Sequence, residues 1–95
     1  MANYEMTLLA PNVTVTNEFG TLTATVTGTT QADTLIYQWQ VEREENDETV
    51  FDNIANETEN TFTPTEDGTY RCVVTRTRGS QTSQANSNPI AVIIE

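Results

Sequence analysis

The chain has 95 residues, which is the size of one domain with a single hydrophobic core. Fourteen acidic residues against four arginines give a formal net charge of −10, and phosphate backbones and anionic lipid repel such a chain, so neither nucleic acid nor a membrane is expected as a partner. No histidine is present, and the only cysteine, Cys72, cannot form a disulfide within the chain, which fits folding in a reducing cytoplasm.

Alternation of apolar and polar residues begins near the N-terminus and predicts β-strands. Residues 1–5 are expected to be a flexible segment, and residues 6–95 to form one domain. Met6–Leu9 and Val13–Thr16 alternate on either side of Pro11, which predicts one edge strand broken by a kink.

The middle of the chain predicts two long strands and a hairpin. Gly20–Gly28 alternates most regularly, with apolar residues on one face and threonines on the other. Leu35–Val41 places its odd-numbered residues, among them Trp39, on one apolar face. Glu42–Glu48 is polar and acidic, and predicts a hairpin turn that leads into Thr49–Phe51.

The last third of the chain continues the pattern. Asn60–Thr63 predicts a short strand that Pro64 ends. Gly68–Thr77 and Pro89–Ile94 are predicted to be the last two strands, joined by a polar loop that contains Gly79–Asn86. No segment shows an apolar stripe at helical spacing, so seven or eight short strands indicate an all-β sandwich or barrel.

Three features select among all-β folds. Trp39 lies in the middle of an alternating strand, and Leu22–Gly28 precedes it. Thr65–Cys72 follows about thirty residues after the tryptophan, with Tyr70 two residues before the cysteine. This pattern resembles the immunoglobulin superfamily, with its strand-C tryptophan and its tyrosine corner.

The resemblance implies an immunoglobulin-like β-sandwich of two antiparallel sheets, with Ala24, Trp39, Tyr70 and Cys72 in its core. The tryptophan would fill the space between the sheets, and the Tyr70 hydroxyl would bond to the backbone near Glu66. Ala24 stands where the family usually has its first cysteine. The inter-sheet disulfide is therefore not expected, and Cys72 is expected to be a buried free thiol.

A narrower resemblance rests on four segments: Ile36–Trp39, Glu59–Thr65, Arg71–Val74 and Ser87–Ile90. Together they resemble the immunoglobulin-like domains of bacteriophage outer-capsid decoration proteins. This implies a display or adhesion module on a virion surface, in contact with other capsid or tail proteins and binding host-surface or mucus carbohydrate weakly. The alternative is a structural spacer repeat of an adhesin on a bacterial cell surface.

The sequence offers no catalytic constellation, so neither an enzyme nor a cofactor is expected. The chain lacks histidine, its thiol is expected to face inward, and its acids cluster in turns. The acidic residues between Glu42 and Asp52 would suit calcium by charge alone. They lack the alternating ligands and the turn glycine of a calcium loop, so a solvated hairpin is expected and no metal site is predicted.

The candidate binding residues are three arginines and three glutamines: Arg71, Arg76, Arg78, Gln38, Gln40 and Gln81. Arg71 is predicted to point outward beside Gln38 and Gln40, with the other two arginines at the end of the same strand. Guanidinium forks suit carboxylates and sulfated sugars. The alternative is that the arginines pair with nearby glutamates and keep an open sheet soluble.

The polar loop Gly79–Asn86 is expected to cluster with Thr29–Asp33 at one end of the sandwich. Binding loops are commonly presented at such an end. The hydroxyls and amides of these segments suit hydrogen bonding to carbohydrate, but the same composition is typical of any flexible loop.

Overall fold

The computed structural model describes residues 10–28 and 33–94. The predicted flexible segment 1–5, the predicted strand Met6–Leu9 and residues 29–32 lie outside these ranges. The described residues form eight strands: β1 (Asn12–Glu18), β2 (Thr21–Thr27), β3 (Thr34–Glu45), β4 (Glu48–Asn53), β5 (Thr61–Phe62), β6 (Gly68–Arg78), β7 (Gln81–Asn86) and β8 (Ile90–Val92).

The strands form two antiparallel sheets that enclose one core. One sheet has the order β1-β2-β5, and the other has the order β4-β3-β6-β7, with β8 also paired to β6. All pairings are antiparallel in both sheets. The predicted all-β architecture of two antiparallel sheets is confirmed. The part of the chain that the structure describes contains no helix long and apolar enough to cross a membrane.

The core follows from the alternation of the strands, because successive side chains point to opposite faces of a sheet. Leu22 and Ala24 of β2 are buried against Trp39 of β3. The Phe62 ring bridges the two sheets, with its centroid 5.7 Å from that of Trp39 and 5.4 Å from that of Tyr70. The four predicted core positions are at most 4% exposed: Ala24, Trp39, Tyr70 and Cys72.

Polar atoms of the aromatic core are satisfied by backbone carbonyls. The Tyr70 hydroxyl donates to the carbonyl of Glu66 at 2.7 Å, which confirms the predicted tyrosine bond. The Trp39 indole Nε1 donates to the carbonyl of Glu59, also at 2.7 Å. Burying these groups without partners would cost free energy, so both bonds fix loops against the core.

The acidic hairpin differs from its prediction. Glu42–Glu45 continues β3 as a strand, and the turn is confined to Asn46 and Asp47, with φ of 52° and 65°. Two successive left-handed residues form the tight hairpin turn that matches the twist of the flanking strands. The pairing of β3 with β4 then runs to Glu45 opposite Glu48, so backbone hydrogen bonds outweigh the polarity of the side chains.

The prediction of a polar loop over Gly79–Asn86 is also wrong. Gly79 and Ser80 form a two-residue turn, and Gln81–Asn86 is strand β7, paired with β6. This strand lies at the edge of its sheet and buries no large apolar side chain, so it has no apolar alternation in the sequence. Its pairing with β6 comes from backbone hydrogen bonds.

Strands β7 and β8 follow the same edge of β6 and are separated by Ser87–Pro89. Val73 lies opposite Asn86, and Tyr70 lies opposite Ile90. Between these pairs, the three residues 87–89 face only two residues of β6, which forms a bulge. Within the bulge, Ser87 N donates to the Cys72 carbonyl at 2.8 Å, and Cys72 N donates to Ser87 Oγ at 2.9 Å.

The next residue of the bulge connects the two sheets. Val15 N donates to Asn88 Oδ1 at 2.9 Å, and Asn88 Nδ2 donates to the carbonyl of Val15 at 3.2 Å. The side-chain amide thus pairs with the backbone of β1 as a neighbouring strand would. This contact satisfies part of an otherwise open edge.

Candidate binding surface

The two faces of β6 separate the predicted binding residues. Residues Arg71, Val73 and Thr75 lie on the outer face, whereas Tyr70, Cys72, Val74 and Arg76 alternate with them on the core side. The predicted candidates therefore do not form one patch.

Arg71 contacts two neighbouring side chains on the outer face, and one of these is held in turn by a third. Its Nε donates to Gln40 Oε1 at 2.7 Å, and Gln40 Nε2 donates to Asn53 Oδ1 at 2.8 Å. The guanidinium carbon lies 4.0 Å from the centroid of the Phe51 ring. Hydrogen bonding and the cation–π contact together orient the guanidinium across β3 toward β4.

Around Arg71, the outer face forms an open trough of about 470 Å³. Its walls are mostly amides and hydroxyls, with two aliphatic side chains. The lining comprises Ile36, Gln38, Gln40, Asn53, Arg71, Val73, Thr75, Gln84 and Asn86.

Several trough side chains are positioned by hydrogen bonds. Gln38 Nε2 donates to the carbonyls of Trp39 and Ile54, at 2.8 and 2.9 Å. Gln84 Nε2 donates to Thr75 Oγ1 at 3.1 Å. Ile36 is 54% exposed and, with Val73, adds apolar surface to a mostly polar trough.

Arg76 and Arg78 bind one carboxylate on the other side of the sheet. Arg76 Nε lies 2.9 Å from Asp33 Oδ2, and Arg78 Nε lies 2.6 Å from Asp33 Oδ1. The Asp33 side chain is fully buried, and that of Arg76 is 7% exposed. The hydrogen bond to Asp33 raises the pKa of Arg78 above its usual value. The partner of both arginines is thus an aspartate rather than the glutamates considered from the sequence.

Gln81 lies at the far end of β6 from the trough. It pairs with Arg78 beside the β6–β7 turn. Arg78 lies seven positions after Arg71 along the strand, which is roughly 23 Å at the rise of a β-strand. Gln38, Gln40 and Arg71 are therefore brought together, and Gln81 lies apart from them.

The remaining groups with potential chemistry do not converge. Burial raises the pKa of the Cys72 thiol to about 11, which makes it a poor nucleophile at neutral pH. On the hairpin, Arg43 bonds to both Asp52 and Glu45, and its bond holds the pKa of Asp52 below the usual range. Residues 10–28 and 33–94 contain no cluster of three metal-ligating side chains.

Sequence reasoning missed the trough residues of β4 and assigned those of β7 to a loop at one end of the sandwich. Asn53 and Phe51 lie near Arg71 because of the register in which β4 pairs with β3. This register cannot be derived from the sequence pattern. Gln84 and Asn86 lie on a strand that was taken for a loop. The usable signals in the sequence were the polar alternation of Gln38 and Gln40 and the hydroxyls and amides of residues 79–86.

Comparison with models of known protein families, with curated proteins and with solved structures finds no match to this chain. The geometry of the trough is therefore the main basis for proposing a function.

Proposed function

We propose that the protein is a non-catalytic display or adhesion module with an immunoglobulin-like sandwich, and that the trough around Arg71 binds carbohydrate. The strand order supports the immunoglobulin-like assignment, since β1-β2-β5 faces β4-β3-β6-β7 as strands A, B and E face C′, C, F and G in that family. The hydrogen bond from Tyr70 to Glu66 is a further feature of that fold.

The observation that carries the proposal is a fixed guanidinium among amides on an open sheet face. Arg71 is held by Gln40 and by the ring of Phe51, so little side-chain entropy is lost when it binds an anion. The surrounding amides can donate to and accept from sugar hydroxyls, and Ile36 offers an apolar surface for a sugar ring. Carboxylated or sulfated sugars are the ligand class that this chemistry favours.

The proposed setting is a virion surface, where the module would contact other capsid or tail proteins and host-surface glycans. Four segments that resemble phage decoration domains support it, and so does a sandwich that has no disulfide. The strongly negative net charge keeps such an exposed module soluble.

A glycan array tests the proposal, with Arg71→Ala beside the unmodified protein. Arg43→Ala is the matched control, because it removes the same charge from the exposed hairpin, outside the trough. We expect binding to carboxylated or sulfated glycans that is lost in Arg71→Ala and retained in Arg43→Ala. Absence of binding at high protein concentration, or equal loss in both variants, would contradict it.

A structural spacer in a bacterial surface adhesin is the second candidate, and a different observation favours it. By the strand registers, β1 begins at the end of the sandwich where β6 ends, and β8 ends at the opposite end beside Gly68. Tandem copies could therefore follow one another end to end. Many tandem copies in the parent protein, together with an empty glycan array, would favour this function.

A further inference from the structure

A second concave site opens between the two sheets. Strand β5 has only two residues, so the sheet that contains it leaves part of the core uncovered beside β3 and β4. The result is a cleft of about 270 Å³. Its floor is apolar and consists of Val41, Ile54, Phe62 and Tyr70.

The polar residues that line this cleft include two glutamates, Glu57 and Glu66, and no arginine. Glu57 is half-buried, and Glu66 is exposed. Within residues 10–28 and 33–94, neither carboxylate forms an ion pair or a side-chain hydrogen bond. Two hydroxyl residues, Thr63 and Thr65, complete the polar lining. The cleft thus combines an apolar floor with uncompensated negative charge.

We propose that this cleft binds a lysine side chain of a basic protein partner. The four-carbon stem would lie against Phe62 and Tyr70, and the ammonium group would lie between the carboxylates of Glu57 and Glu66. The net charge of −10 attracts basic partners over a longer range. A compact ammonium on a flexible stem can lie between two carboxylates, whereas a planar guanidinium pairs best with a single carboxylate through its fork.

This inference is independent of the proposed carbohydrate site. The trough around Arg71 lies on the outer face of one sheet and presents a cation, whereas the cleft lies between the sheets and presents carboxylates. The two sites therefore select ligands of opposite charge, and each can fail without the other.

Nuclear magnetic resonance titration tests the lysine site with Nα-acetyl-lysine-methylamide as the probe. Nα-acetyl-norleucine-methylamide, which has the aliphatic stem without the charge, is the matched ligand control. We expect saturable shift changes at Val41, Ile54 and Tyr70, and affinity for the norleucine probe weaker by roughly fivefold or more. Equal affinity for both probes, tighter binding of the corresponding arginine probe, or shifts at the acidic hairpin alone would overturn the proposal.

Protein variants test the two carboxylates. Glu57→Gln and Glu66→Gln keep the side-chain shape, and the Glu66 carbonyl remains available to Tyr70, so both variants are expected to fold. Each should weaken the lysine probe several-fold, whereas Glu44→Gln on the hairpin should leave its affinity unchanged. Unchanged affinity in both cleft variants, or the same loss in Glu44→Gln, would also overturn the assignment.

Discussion

The two faces of β6 present the clearest contrast in the molecule. On the inner face, Cys72 and Val74 have no exposed surface. On the outer face, one residue away, Arg71 lines an open trough. The same strand therefore stabilises the fold through one set of alternate residues and lines, through the other, the trough where we propose that carbohydrate binds. Substitutions on the two faces should have separable effects, on stability and on binding respectively.

The arginines of this strand show how strongly the face determines the role of a side chain. Arg71 and Arg76 are five residues apart and therefore lie on opposite faces. The outward arginine contacts Gln40 and Phe51, whereas the inward one is bound to a buried carboxylate. Because Arg71 and Arg76 are close in sequence, they were predicted to share one candidate patch. The alternation of the strand places them on opposite faces of the sheet.

The largest effect is expected for Trp39→Ala on the inner side of the sandwich. Trp39 has no exposed surface and contacts the Phe62 ring, so truncation should lower the free energy of unfolding by about 3–5 kcal/mol. Denaturant titration measures this loss. Arg71→Ala, on the outer face, should change the same free energy by less than about 1 kcal/mol. A loss of unfolding free energy for Trp39→Ala as small as that for Arg71→Ala would contradict the assignment of stability to the inner face.

The inner face also contains charge, and its removal is the next largest effect. Asp33→Ala deletes the buried carboxylate that binds Arg76, so the unfolding free energy should fall by about 3 kcal/mol. Asp52→Ala removes an exposed partner of Arg43 and should leave the unfolding midpoint nearly unchanged. Equal effects of the two substitutions in denaturant titration would show that burial does not distinguish these ion pairs.

The inner face was largely predictable from the sequence. Regular alternation around Leu22 and Ala24, a mid-strand tryptophan and the Tyr70–Cys72 spacing all arise from burial between two sheets. Burial constrains residue type strongly, so the core leaves a clear signal.

The outer face was only partly predictable. Gln38, Gln40 and Arg71 were found, because they alternate with core residues. Asn53 and Gln84 join them through strand pairings, and backbone hydrogen bonds set those pairings without a local side-chain signal. On the inner face, the ion pair of Arg76 was also missed, because its partner Asp33 is 43 residues away and beyond the reach of local patterns.

A third prediction uses pH to examine the inner face. The Cys72 thiol has its pKa raised from 9.0 to about 11 by burial, so the folded state disfavours the thiolate. This pKa shift contributes to the free energy of unfolding below pH 9, and the contribution is lost as the pH rises toward 11. Its upper limit is roughly 2–3 kcal/mol. Unfolding titrations across this range measure the decline.

The control for this pH dependence is Cys72→Ala. The two proteins are compared by the slope of the unfolding free energy against pH, and not by its absolute value. Tyr37 and Tyr70 also have raised pKa values and contribute to the alkaline loss in both proteins. The slope should be shallower in Cys72→Ala. Identical slopes would mean that the thiol is not shielded from solvent as its place in the core indicates.

The smallest effect is expected at a residue that lies on neither face of β6. Phe19, in the β1–β2 turn, is fully exposed and has a left-handed φ of 54°, which is unfavourable for a bulky side chain. Phe19→Asn should raise the unfolding free energy by roughly 0.5–1 kcal/mol, because asparagine tolerates this backbone conformation. Phe19→Ala separates the causes, since it removes the ring but keeps most of the backbone cost. Denaturant titration could instead find the asparagine variant less stable than the alanine variant. The left-handed backbone would then not be what makes Phe19 unfavourable in this turn, and stability in this sandwich would not be set by the inner face and strand geometry alone.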